Sequence, residues 1–159
     1  TVRAIRAGGQ QLEVWHQAGE AHVAAAQASY GELLGESLRV VAFIEDMAAA
    51  YAWADLVLCR AGALTVSELA VMGCPSILVP LPYAIDDHQS ANARFLSDAG
   101  AAMLLRQADM NAESLAASLR GYMAQPGLLV RMAAAAAAVA TPDAAARVSD
   151  CCEELIHGR

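Results

Sequence analysis

The sequence predicts an α/β domain, a Rossmann-like parallel sheet with flanking helices, on three observations. Short apolar segments recur at residues 12–15, 39–43, 56–59, 76–80 and 102–105, and most intervals between them carry helix-period patterns. Glycine and proline stand where the pattern changes, as with Gly73 and Pro75 before segment 76–80 and Gly100 before segment 102–105. Segment 55–72, DLVLCRAGALTVSELAVM, passes from an apolar strand through a turn at Gly62 directly into an amphipathic helix.

Each element has its own signal. The opening TVRAIRA reads as the tail of a helix that stops at Gly8 and Gly9. That glycine pair follows a helix and precedes a strand, the reverse of the order a phosphate loop requires. Helices are expected over residues 21–34, 47–53, 65–72, 87–99, 111–124, 128–139 and 144–156. The six alanines at 133–138 belong to a packed or surface helix, because alanine is the best helix former. Beyond Leu105 no strand signal remains, so the chain is expected to end in a helical tail. It opens at Thr1 without a methionine, which reads as a fragment of one domain's size.

Composition narrows the function. Apolar residues make up 57% of the chain and charged ones 17%, yet no apolar run approaches the roughly 18 residues of a spanning helix. A net charge of -7 argues against nucleic-acid binding, which needs clustered Lys and Arg. A single nucleotide is still allowed, since the N-terminus of a helix holds a phosphate without net positive charge. The four cysteines, Cys59, Cys74, Cys151 and Cys152, show no CxxC pairing and fit a reduced compartment. Cys59 and Cys74 read as small core residues.

In open parallel sheets ligands bind beyond the carboxyl ends of the strands. Three loops qualify: residues 44–47, 60–65 and 81–89. In the second, Thr65 and Glu68 share one side of the helix entrance. Their spacing matches a capping box, Thr65 bonding the N–H of Glu68 and Glu68 that of Thr65, and spacing alone favours this reading. The competing one turns the N–H groups of Ala63, Leu64 and Thr65 toward a diphosphate and Glu68 toward two ribose hydroxyls. The third loop is long, and long loops are often functional. In it, Asp86 or Asp87 suits an N-cap, and Gln89 offers an amide that both donates and accepts. Ile44 ends a strand and reads as core, although its backbone N–H and C=O could meet the edge of a planar base. No further His or Cys stands at metal-ligand spacing from His88 to complete a shell, His16, His22 and His157 are isolated, and no triad or carboxylate pair stands out.

The motifs VWHQAG (14–19), FIEDMAAAYAWADLVLCRAGALTVSELA (43–70), DDHQSANA (86–93) and TPDAAARV (141–148) together resemble the C-terminal domain of the MurG-type N-acetylglucosaminyltransferases of peptidoglycan synthesis. The resemblance covers nearly the whole chain. It implies the C-terminal half of a GT-B enzyme, in which two Rossmann-like domains face a cleft and this one holds UDP-N-acetylglucosamine. On the matching motifs, Ile44 would meet uracil through its backbone. Ala63, Leu64, Thr65, Val66 and Ser67 would line the helix entrance near diphosphate and ribose, Glu68 would hold the ribose, and Gln89 the sugar. The implied reaction transfers N-acetylglucosamine to lipid I, giving lipid II, with inversion and with no cofactor or obligatory metal. The implied location is peripheral, on the cytoplasmic face of the bacterial inner membrane.

The family's glycine-rich loop, its linker arginine and the acceptor domain with its base have no counterpart in these 159 residues. No catalytic residue is therefore assigned, and the isolated chain is expected to be inactive. Two other readings stand beside this one: another GT-B UDP-sugar enzyme, because the scaffold is shared, and a non-catalytic nucleotide-binding module.

Overall fold

The computed structural model describes residues 1–82 and 87–157, so the Asp86 part of the expected loop lies outside the described residues. The elements run α1 (Val2–Ala7), β1 (Val14–Gln17), α2 (Val23–Tyr30), β2 (Leu38–Val41), α3 (Met47–Trp53), β3 (Val57–Cys59), α4 (Ala63–Met72), β4 (Ser76–Leu78), α5 (His88–Ser97), β5 (Ala102–Leu104), α6 (Ala112–Ala124), α7 (Pro126–Ala138) and α8 (Ala144–His157). All five expected strands form, moved or trimmed by a residue or two, and every pairing is parallel. They fall into two compact units.

The first unit comprises Thr1–Trp53 and Ala108–Pro126. Its sheet pairs β1 with β2, Val14 opposite Leu38 and Gln17 opposite Val41, and the ladder continues past both strands through Ala18 N–H to Val41 O. Leu38 and Val40 point into the core. Arg39, on the other side of the pleat, lies over the Trp15 ring at 4.1 Å, while Trp15 meets Trp53 edge-on with centroids 6.0 Å apart. These are cation–π and T-shaped contacts that cover one face of a two-stranded sheet. His16 is structural, its Nδ1 lying 3.2 Å from the Tyr30 hydroxyl. Helix α2 is shorter than the 21–34 expected: Gly31, at φ 55°, ends it and a 3-10 turn follows over Gly31–Leu33.

At the end of this unit α1, with Ile5 fully buried, packs on α6. A capping box starts α6: Asn111 Oδ1 accepts from Ser114 N–H at 2.9 Å, and Ser114 Oγ accepts from Asn111 N–H at 3.0 Å.

The second unit comprises Ala54–Gln107 and Gly127–Arg159, with strand order β3-β4-β5. In the central strand Ser76, Ile77 and Leu78 are wholly buried, as a strand paired on both edges and covered on both faces must be. Val66, Leu69 and Ala70 of α4 and Ala93 and Leu96 of α5 complete the core. Gly73 stops α4 in the left-handed region at φ 64°, sending its N–H to Ala70 O and that of Cys74 to Leu69 O. Only glycine adopts that conformation without strain. The alanine run lies in α7, where Met132 and Ala136 are buried and Ala137 comes within reach of Gly73.

Ser76 Oγ is buried with no partner among the described residues. Ser76→Ala removes a hydroxyl that pairs with nothing, and is expected to be neutral or stabilising by about 1 kcal/mol. Leu69→Ala leaves a cavity under α4 and is expected to cost about 2–5 kcal/mol. Urea unfolding of both variants measures the contrast.

Candidate functional site

In the second unit three loops leave the carboxyl ends of β3, β4 and β5, and one side chain ties them together. Arg60, the residue after β3, donates from Nη1 to Val79 O at 3.2 Å and Pro80 O at 3.3 Å. From Nη2 it donates to Gln107 Oε1 at 2.8 Å. A planar guanidinium with donors on separate arms holds three acceptors at once, which an ammonium does not do in a fixed geometry. Asn92 of α5 adds a second tie, Nδ2 donating to Ala61 O at 3.1 Å. Sequence reasoning does not single out Arg60, Asn92 or Gln107, although the first two lie in the RAGALTVSE and DDHQSANA motifs.

Helix α4 opens directly off this loop. Its N-cap is Gly62, with φ -65° and ψ 147°, and no side chain caps it. The helix thus begins at Ala63, two residues before the expected start, which places Thr65 in the first turn rather than at the cap. That position overturns the capping-box reading of Thr65 and Glu68, since the box needs Thr65 outside the helix. Val66 is the first residue to bond back into the turn, its N–H meeting Gly62 O at 2.9 Å. The N–H groups of Ala63, Leu64 and Thr65 precede that bond and have no partner within the helix. They stand at the positive end of the helix dipole.

The predicted site residues of this segment divide by face. Ala63, Leu64, Ser67 and Glu68 are exposed, Thr65 is half-buried and Val66 is core. Ser67 Oγ donates back to Ala63 O at 3.1 Å, so its hydroxyl is committed to the helix. A Cβ placed on Gly62 would meet Thr65 Oγ1 at 3.6 Å, an ordinary contact.

Gln89 is the second residue of α5. Its Oε1 accepts from Leu81 N–H at 3.0 Å, which fixes the amide and turns the Nε2 donors outward from that bond. Asp87 occupies the N-cap position, but at φ 51° and without a side-chain cap bond, so the expected capping role is not taken up. An aspartate tolerates the left-handed region better than most residues.

In the first unit Ile44 follows β2 and is buried, as a core reading expects. Its N–H is engaged: Gln17 Oε1 accepts from it at 2.8 Å. Asp46 caps α3 through Oδ1, which accepts from Ala49 N–H at 2.9 Å, leaving it a structural role in its loop.

Among the described residues no group of three or more His, Cys, Asp or Glu side chains is placed to hold a metal ion. No described helix is long and apolar enough to cross a membrane. Burial pushes the Cys59 thiol up to about 11 and raises that of Cys74, whereas Cys151 and Cys152 are exposed on α8. Because the thiolate is the nucleophile, iodoacetamide at pH 8 is expected to label Cys151 and Cys152 before Cys59, read by peptide mass spectrometry. Labelling of Cys59 should rise only as pH climbs toward its raised pKa.

The chain is 55% identical over 146 residues to the UDP-N-acetylglucosamine–N-acetylmuramyl-(pentapeptide) pyrophosphoryl-undecaprenol N-acetylglucosamine transferase of Stutzerimonas stutzeri, covering 92% of this chain and 41% of that protein. The protein of that name from Halorhodospira halophila is 52% identical over 151 residues, with 95% and 42% covered. The chain therefore spans about two-fifths of the length of the curated relatives it matches. Among solved structures, Acinetobacter baumannii MurG superposes with a TM-score of 0.80 at 45% identity, over 90% of this chain and 41% of that one. The glycosyltransferase VinC, solved with dTDP, superposes with a TM-score of 0.63 at 22% identity over 80% of this chain and 29% of its own, a likeness of fold alone. Residues 2–148 match the glycosyltransferase family 28 C-terminal domain, and the chain belongs to that family.

Proposed function

We propose that this chain is the donor-binding part of a glycosyltransferase that moves N-acetylglucosamine from UDP-N-acetylglucosamine to lipid I, giving lipid II, with inversion. The observation that carries the reading is the start of α4 on a bare glycine, with three N–H groups at a positive dipole end and no side chain capping them. Such a terminus accepts the diphosphate and stabilises the charge that builds on departing UDP, a preorganised electrostatic contribution. It needs no metal for that.

In the second unit, residues 63–67 line the helix entrance near diphosphate and ribose. Glu68, exposed and one turn further on, accepts from the two ribose hydroxyls. Gln89 directs its Nε2 donors to the sugar. In the first unit, Ile44 presents its backbone to the base. The whole chain is assigned as a donor domain, and the acceptor and any catalytic base are assigned to the part of the relatives that it does not span. For that reason the chain alone is expected to turn over nothing, since rate depends on holding donor and acceptor together. The acceptor is a lipid, so the intact protein works peripherally at the cytoplasmic face of the membrane.

Two substitutions test the assignment. Glu68→Ala removes two charge-assisted hydrogen bonds to the ribose, each typically worth about 1.5–3 kcal/mol, and should weaken UDP binding at least tenfold. Gly62→Asp gives α4 its own cap at little cost, because aspartate caps as well as or better than glycine. It also places a carboxylate where the diphosphate is assigned. UDP affinity should therefore fall tenfold or more while the melting temperature holds or rises. Calorimetry on the intact protein decides: unchanged UDP affinity in both variants would sink this assignment.

A further inference from the structure

We infer that Gln17 is a placeholder for the nucleobase, holding the Ile44 N–H in the ligand-free protein and giving it up when the base docks. The inference rests on the donor reading above, which assigns the base to Ile44. Its physical content comes from a bond that reading does not require: Gln17 Oε1 already accepts from Ile44 N–H at 2.8 Å.

The arrangement is local and well supported. Gln17 is the last residue of β1, opposite Val41 of β2. Beyond it the parallel ladder continues through Ala18 N–H to Val41 O at 2.9 Å and Gly19 N–H to Ala42 O at 3.0 Å. The Gln17 backbone is thus fixed by hydrogen bonds on the strand and just past it, and only its side chain has to move for the bond to break. The Gln17 side chain is exposed, whereas Ile44 is buried at 7% exposure. A backbone N–H at a buried residue needs a partner at all times. In the free protein the carboxamide supplies one.

A carboxamide oxygen and a ring carbonyl of a pyrimidine are chemically alike as acceptors. Each presents an sp2 oxygen with lone pairs in the plane of an adjoining nitrogen, and each satisfies one N–H. Docking of the base is therefore an exchange in which one N–H···O=C bond breaks as a like one forms, and the free carboxamide passes to solvent. The N–H contributes to selecting a carbonyl at that edge but adds less affinity than an unoccupied donor would. The apparent dissociation constant is the intrinsic one divided by the fraction of molecules with Gln17 turned away. For a hydrogen bond of ordinary net strength that fraction is between about one-third and one-fourteenth.

The test uses UDP binding by the intact protein, its Gln17→Ala variant and its Gln17→Met variant, which keeps the side chain's bulk without the acceptor. Both variants should bind UDP about threefold to fourteenfold more tightly while melting lower, because the free protein loses a bond that the complex does not use. A residue that merely supports the fold gives lower stability with equal or weaker binding, never tighter. If the wild type binds UDP and neither variant binds more tightly, the exchange is overturned while the donor reading stands. If the wild type does not bind UDP, the donor reading fails and the exchange fails with it. Should Gln17→Ala not fold, Gln17→Met and the wild-type Ile44 amide resonance, which should move on adding UDP, decide between exchange and plain support of the fold.

Discussion

The geometry of the second unit's loops depends on the hydrogen bonds of Arg60. Parallel strands deliver their carboxyl ends to one edge, and the loops that leave them carry backbone carbonyls with no ladder partner. Left alone, Val79 O and Pro80 O, on buried residues, would be desolvated acceptors. Arg60 takes both, together with Gln107 Oε1, so the loops after β3, β4 and β5 are joined through one planar cation. The guanidinium belongs to the loop from which α4 opens, two residues before the Gly62 N-cap.

Two of the helix starts are capped by side chains. Helix α6 begins with a reciprocal capping box between Asn111 and Ser114, and α3 is capped by Asp46. In both, short polar side chains accept from N–H groups of the first turn. Helix α4 begins on glycine with no cap from any side chain. Glycine caps a helix about as well as threonine, and α2 and α5 also begin without a side-chain cap bond; what sets Gly62 apart is that it has no side chain at all. It keeps the approach to the N–H groups clear.

Much of the fold is legible in the sequence because it rests on local rules. The alternation of apolar segments and helical intervals sets the parallel sheets, and Gly73 and Gly100 stop their helices where the pattern expects them to. The segment around Gly62 reads as strand, turn and helix from its residues alone. Its detail differs from that reading for a physical reason: Thr65 and Glu68 have capping-box spacing, but a helix can start on any residue that frees the turn, and Gly62 does so three residues before Thr65. Helix α2 falls short of its expected length because Gly31 is not a tolerated interior glycine; its φ of 55° ends the helix. Long-range side-chain bonds are not legible at all. Nothing in the spacing of Arg60 and Gln107, or of Gln17 and Ile44, announces a bond that only the parallel crossovers bring about.

Two glutamines, one in each unit, make one further point about what a carboxamide can do. Gln89 and Gln17 each use the carbonyl half of the amide on a loop N–H, Leu81 in one case and Ile44 in the other, but with opposite consequences. In Gln89 the bond fixes the side chain and leaves the amino half facing away from it, so a ligand there meets a donor whose direction is set in advance. A sugar hydroxyl answers it with an oxygen lone pair, and an ammonium group, having none, is excluded. In Gln17 the same bond covers the donor that a ligand would want. On the proposed reading, preorganisation and self-occupancy thus come from a single interaction type, and what separates them is which half of the pair a ligand would need: the free end of the amide at Gln89, the backbone N–H behind it at Ile44.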